Sequence, residues 1–225
     1  MASRDFFIKR HNGIIEIKKK SNLNALNSNK MKGSYIICFA LAIGLSACKN
    51  SKKNVSGNDL TEQLKEQKYN TDRQISDSSL IVLVKVKGEK NLVRVENKRY
   101  PRNIETTYNV LKDKKGRIIY LAELPYSETS EWFIAYKSYY DSTGNLYAFQ
   151  RINNFLNNGC TRGAAMENML KYYDSSFKVL DSVYTLTDTY KKPLDKGACK
   201  FPYNFPYSIF KTIKEYKESK GIPVL

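Results

Sequence analysis

Tyr139-Tyr140-Asp141-Ser142-Thr143-Gly144-Asn145 decides the fold. Before it, Trp132 to Tyr140 is an aromatic and β-branched run suited to a pleated strand, and Asn145 to Ile152 leads away as a second one. Asp first and Gly fourth is the preferred chemistry of a type I turn. The Gly can take the left-handed conformation that a hairpin bulge requires. The stretch predicts an antiparallel hairpin.

The same grammar recurs on both sides. Val110-Leu111-Lys112 runs into Asp113-Lys114-Lys115-Gly116 and then Arg117-Ile118-Ile119-Tyr120-Leu121. Farther on, Tyr172-Tyr173-Asp174-Ser175 repeats Tyr139 to Ser142, and Val179 corresponds to Leu146. Phe177 stands where the repeat has Gly144, so this third turn is expected to close differently. Upstream, Leu80 to Val86 reads as a strand, Lys87 to Asn91 as a turn and Leu92 to Glu96 as the return strand. The pattern resembles hairpin repeats of bacterial envelope and surface proteins, in which a tyrosine-aspartate pair opens each turn. Successive hairpins need their neighbours to cover one face. The expected fold is therefore mainly β, an antiparallel hairpin or meander sheet with one C-terminal helix. That helix is read over Ser208 to Ser219, with Ile209, Phe210, Ile213 and Tyr216 on one face and Gly221 and Pro223 as its stop. Asn153 to Asn168, which contains Asn157-Asn158-Gly159-Cys160, reads as a long loop.

The N-terminal part is organised differently. Gly33 to Ala47 is apolar, flanked by Lys30 and Lys32, and too short to span a bilayer, which takes about 20 helical residues. Its order of basic, apolar and small residues is that of a signal peptide. Leu45-Ser46-Ala47-Cys48 resembles the lipobox of bacterial lipoproteins. The resemblance implies cleavage before Cys48, acylation of that cysteine and a lipid-anchored place in the cell envelope. Lys49, where inner-membrane retention favours aspartate, points to the outer membrane facing the periplasm. Four segments are expected: a mis-assigned N-terminal extension over 1–30 with Met31 as the natural start, a signal peptide over 31–47, a polar tether over 48–77 and a β-rich domain over 78–225. Leu60 and Leu64 could place a short transient helix in the tether.

Cleavage changes the charge argument. The chain has 38 basic and 22 acidic residues, a net +16. Removing the eight basic and two acidic residues of positions 1–47 leaves +10. An exported basic chain meets anionic headgroups, acidic glycans or envelope proteins first, and nucleic acid becomes a minor option.

Cleavage also removes His11, the one histidine of the chain. Without imidazole there is no Ser-His-Asp or Cys-His catalysis and no His-rich metal site. No Gly-rich phosphate loop, calcium loop or nucleophile elbow occurs, so neither cofactor nor metal is expected and the chain reads as non-catalytic. The enzymatic alternative is a carboxylate-dependent hydrolase using Glu123, Glu128 and Glu131, which needs two acids in register across a cleft. Binding has more material. Trp132, Tyr139, Tyr140, Tyr172 and Tyr173, with the nearby asparagines, suit sugar rings or extended peptides, although tyrosines on strands equally serve a core. Lys85, Lys87 and Arg94 belong to a basic stretch that suits a polyanion or, equally, a solvated sheet face. Cys38 leaves with the signal and Cys48 takes the lipid. Cys160 and Cys199 then form the one pair available for a disulfide. The alternative is a reactive thiol at Cys160 beside Arg162.

Overall fold

The computed structural model describes residues 9–11, 14–16, 57–76 and 78–222. The expectations on Met31, the signal segment, Cys48 and Pro223 lie outside the described residues. Contacts divide the chain into two units, Met1–Asn54 and Val55–Leu225. In the first, β1 (Lys9–His11) and β2 (Ile14–Glu16) pair antiparallel.

The second unit begins with α1 (Gly57–Asp72), then β3 (Ile81–Val86), β4 (Val93–Arg94), β5 (Ile104–Lys112) and β6 (Ile118–Pro125). It continues with β7 (Trp132–Tyr140), β8 (Leu146–Phe155), β9 (Ala165–Tyr173), β10 (Val179–Thr187) and α2 (Ile213–Lys220). The eight strands β3 to β10 form one open antiparallel sheet in the order β10-β9-β8-β7-β6-β5-β3-β4. The mainly β meander is as expected; the second helix is not.

Aspartate explains the turns. In each of three hairpins the Asp N–H donates to the carbonyl four residues on: Asp113 to Arg117 (2.9 Å), Asp141 to Asn145 (2.9 Å) and Asp174 to Lys178 (3.0 Å). One carboxylate oxygen then accepts from the N–H groups two and four residues on, as in Thr143 and Asn145 for Asp141 and Ser176 and Lys178 for Asp174. Hydrogen bonds from the Ser176 hydroxyl and then the Lys178 N–H hold the Asp174 carboxyl below its ordinary range. The third turn was expected to close differently, and it closes the same way. Phe177 adopts φ 71°, the left-handed conformation of Gly116 (78°) and Gly144 (85°). The carboxylate pins the turn backbone, and the Phe177 ring stacks on Tyr173 at 4.8 Å. A fourth turn, opened by Asp188 with Lys191 at φ 69°, repeats the scheme.

Both faces of the sheet are covered. On one, which we call the strap face, Tyr108, Leu121, Ile134, Tyr136, Tyr140, Phe149 and Tyr173 pack under the C-terminal segment through Tyr207, Phe210, Ile213, Tyr216 and Ile222. On the other, the helix face, Tyr120, Tyr139, Tyr147 and Tyr172 pack with Leu64, Ile75 and Leu80. Register shifts beside the Asp turns, such as that between Tyr139 and Tyr140, are what bring the consecutive residues Tyr147 and Ala148 onto one face.

Three expectations are corrected. Residues 57–72 of the expected 48–77 tether form α1, whose half-buried and buried residues Leu60, Leu64, Lys68 and Thr71 recur at helical spacing toward the sheet, with Ile75 packing just past its end. The Asn153–Asn168 loop is shorter, because β8 runs to Phe155 and β9 starts at Ala165, with Asn153 opposite Glu167 in register. Helix α2 starts at Ile213 rather than near Ser208. Thr212 caps the Glu215 N–H, the Glu215 carboxylate accepts from the Lys211 N–H, and the Lys211 carbonyl accepts from Leu146 in the sheet. Gly221 ends it at φ 62° as expected.

Candidate functional site

The C-terminal segment that crosses the strap face is a tandem repeat, Phe201-Pro202-Tyr203 and Phe205-Pro206-Tyr207. Proline suppresses helix and keeps the preceding residue extended, so alternate aromatic rings reach down to the sheet. Phe201 meets Phe155 at 5.1 Å, Tyr203 and Phe205 flank Trp132 at 5.7 and 5.0 Å, and Tyr207 stacks on Tyr136 (5.1 Å) and Phe149 (5.7 Å). The strap is tied at its start by the Cys160–Cys199 disulfide, 39 residues apart in sequence, and by the Lys200 N–H donating to Asn158 at 2.6 Å. At its end the Leu146 N–H donates to the Lys211 carbonyl at 2.8 Å.

Under the strap lies a buried polar cluster. Arg151 pairs with Glu167 at 3.4 Å, donates to Asn204 of the strap at 2.9 Å and stacks its guanidinium on Tyr207 at 5.2 Å. Glu167 also accepts from Tyr184 (3.0 Å) and Asn153 (3.4 Å), and Asn153 donates to the Tyr203 carbonyl (3.3 Å). Among the described residues, Arg151 Nε and Asn153 Oδ1 are buried without a partner. Burial together with the Glu167 hydrogen bond pushes Tyr184 up to about 12. Residue reading missed this cluster. Its one signal was polar residues at the inward-facing positions of strands β8 and β9.

The helix face holds a second polar set. Tyr139 donates to Asp72 at 2.8 Å, and Lys68 donates to the other Asp72 oxygen at 2.7 Å while lying 4.6 Å over the Tyr139 ring. Thr71 and Tyr147 share a hydrogen bond of 3.3 Å. Burial dominates the upward shift of Tyr139, followed by the charges of its neighbours, and burial pushes the Lys137 amine down.

The residues proposed for binding go to different places. Tyr139, Tyr140, Tyr172 and Tyr173 are buried. Successive strand residues face opposite ways, so each pair splits, Tyr139 and Tyr172 to the helix face and Tyr140 and Tyr173 to the strap face. They form core, not a surface strip. Trp132 is half-buried beneath the strap. Lys85 and Arg94 sit on strands β3 and β4 at the sheet edge, and Lys87 lies just past the end of β3. Lys85 donates to the Glu89 carbonyl, Lys87 is exposed, and Arg94 lies 4.0 Å from Glu96.

The three acids of the hydrolase alternative are also separated. Glu123 accepts from Tyr216 and Lys220, both at 2.8 Å; Glu131 accepts from Tyr203 at 2.6 Å; Glu128 is exposed. Cys160 is in a disulfide, which removes the reactive-thiol alternative. An open groove of about 700 Å³ lies between the two Gly-containing turns and α2, with Arg117, Lys214 and Lys217 against Glu218 on its walls. Arg117 is already held by Asp113 and by the Ser142 carbonyl. No group of three or more His, Cys, Asp or Glu suited to a metal occurs among the described residues. No helix among them is long and apolar enough to cross a membrane.

Fold and site together define an open antiparallel meander sheet, roofed by a helix on one face and by a disulfide-tied aromatic strap on the other. Comparison with protein-family models, with curated proteins and with solved structures finds no match to this chain.

Proposed function

We propose that this chain is a lipid-anchored cell-envelope protein whose β domain binds or scaffolds without catalysis. Cys48 carries the lipid in this reading, and the domain faces the periplasm from the outer membrane, meeting an envelope protein, a glycan or anionic lipid. The anchor rests on Leu45-Ser46-Ala47-Cys48 after its short apolar run. The observation that carries the non-catalytic role is where the acids beside the sheet go. Glu123, Glu131, Glu167 and Asp72 each hold a tyrosine hydroxyl that joins a covering segment or a neighbouring strand to the sheet. An acid committed to such a bond serves cohesion, and the acids do not face one another in pairs across the groove.

The test has two readouts. Cells fed an alkyne-tagged palmitate should label the wild-type chain and not Cys48→Ser, and the wild type alone should remain with membranes after alkaline carbonate washing. Cross-linking in intact envelopes followed by affinity capture should recover a defined envelope partner. An unlabelled, freely soluble wild type would overturn the anchor. Failure to recover a partner, alongside binding to purified glycans, would replace scaffolding with glycan recognition. The groove with Arg117, Lys214 and Lys217 favours a second reading, an anion-facing module. In that case capture should weaken steeply as salt is raised, because exposed charges are screened within about 10 Å at 0.1 M.

A further inference from the structure

The two edges of the sheet are not alike. At one, β4 is two residues long and carries Arg94. At the other, β10 is nine residues long, Val-Leu-Asp-Ser-Val-Tyr-Thr-Leu-Thr, with neither proline nor lysine nor arginine. Long edge strands are usually blunted by such residues, since an unpaired row of N–H and C=O groups recruits another strand. Val179, Val183 and Tyr184, all exposed large hydrophobics, belong to this one strand.

The backbone direction can be read from one contact. The Leu186 carbonyl accepts from Leu194 on the side away from β9, and Thr187 bridges Pro193. Backbone groups of an antiparallel strand alternate in direction, so Ser182 and Tyr184 present theirs to that same outer side. Among the described residues, strand pairing on the outer side of β10 is confined to this end, at Leu186 and Thr187. No described strand pairs with the outer side of Asp181 to Thr185, which follows the irregularity between Val179 and Asp181.

We propose that β10 is a self-association edge, through which two copies of this chain pair antiparallel about Ser182 into one continuous sheet. Charge selects the occupant. The single charged residue of β10, Asp181, is already paired with Lys65 at 3.1 Å, so the edge offers nothing to attract an acidic or a basic strand. A copy of the same edge matches it. Pairing about Ser182 sets Ser182 opposite Ser182 and Asp181 opposite Val183, with no like charges directly across, and the irregularity between Val179 and Asp181 ends the regular register on that side. The contact is isologous, and the two-residue β4 edge gives it little to extend from, so assembly stops at a dimer. Edge pairing over so few residues buries less than the roughly 1,600 Å² of a standard interface, which makes the dimer concentration-dependent. The inference stands apart from the lipid anchor.

Sedimentation of the full chain in detergent tests it, with Cys38→Ser and Cys48→Ser present so that neither lipid nor stray thiols join copies. The parent should pass from monomer to dimer as concentration rises. Ser182→Pro removes an outward N–H that the β9 ladder does not use, and should leave a monomer at every concentration with an unchanged melting curve. Ser182→Cys should yield, on oxidation, a dimer band that thiol reductant abolishes. If Ser182→Pro does not fold, the cross-link decides alone. A parent that stays monomeric, a Ser182→Pro dimer, or no Ser182→Cys cross-link would each overturn the proposal, as would an extended peptide held at this edge by a chain that never dimerises.

Discussion

Phe177 sits at φ 71°, a conformation that costs an L-residue about 1–2 kcal/mol. It is kept because its ring stacks on Tyr173 and because the Asp174 carboxylate holds the two N–H groups around it. The aromatic pair adds about 0.5–1.5 kcal/mol beyond the area it buries, and the half-buried ring about another 1 kcal/mol. Phe177→Gly relieves the backbone but loses both packing contributions and gains unfolded-state freedom. We predict a net destabilisation of about 1 kcal/mol by urea denaturation; a stabilised variant would show that strain, not stacking, dominates. Asp113, Asp141 and Asp174, which open three of the turns, were legible from sequence, and Asp188 was not. The equivalence of Phe177 to a glycine was not, because it depends on a ring contact across the hairpin.

At the scale of elements, α1 shows why a polar segment was read as a tether. Its inward stripe contains Lys68 and Thr71, with Asp72 beside it, none of which a hydropathy pattern counts as core. They are acceptable there because Tyr139 donates to Asp72, Asp72 accepts from Lys68, and Thr71 shares a hydrogen bond with Tyr147. Strands β8 and β9 make the same trade with Arg151, Asn153 and Glu167, so the asparagine-rich run looked like a loop. Breaking a buried ion pair by removing one partner costs about 3–5 kcal/mol, since the other charge is left uncompensated. Glu167→Ala should therefore lose stability of that order. Arg151→Met with Glu167→Leu should be milder than Glu167→Ala alone. Chemical denaturation of the three proteins checks the order, and a Glu167→Ala no weaker than the double variant would mean that the pair is not buried in solution.

Across the whole molecule, tyrosine is the common material of both cores, and its ionisation reports on them. Burial pushes Tyr147 and Tyr173 up to about 12 from an ordinary value of 10.0, and Tyr139 and Tyr216 higher still. A group raised in the folded state contributes stability that is complete below its unfolded value and is lost as pH rises through the folded one. Alkaline titration by ultraviolet absorbance should show a steep phase above pH 10, from the buried tyrosines, that coincides with loss of far-ultraviolet circular dichroism. One smooth step near pH 10, with the fold intact, would contradict the buried assignment.

Sequence alone was enough for the hairpins and the aspartates that open three of the turns, the strand-rich class, the C-terminal stop at Gly221 and Cys160 with Cys199 as the candidate disulfide pair. Each of these is local: alternation, an aspartate with a left-handed position three residues on, or an even cysteine count in a chain read as exported. Tertiary structure alone decided which tyrosines face inward, which polar residues are core, and that α1 belongs to the domain. Those outcomes depend on partners far apart in the chain: Asp72 with Tyr139, Glu131 with Tyr203, Glu123 with Tyr216. A polar side chain is buried at little cost only when its partner arrives with it, and no window of sequence contains both.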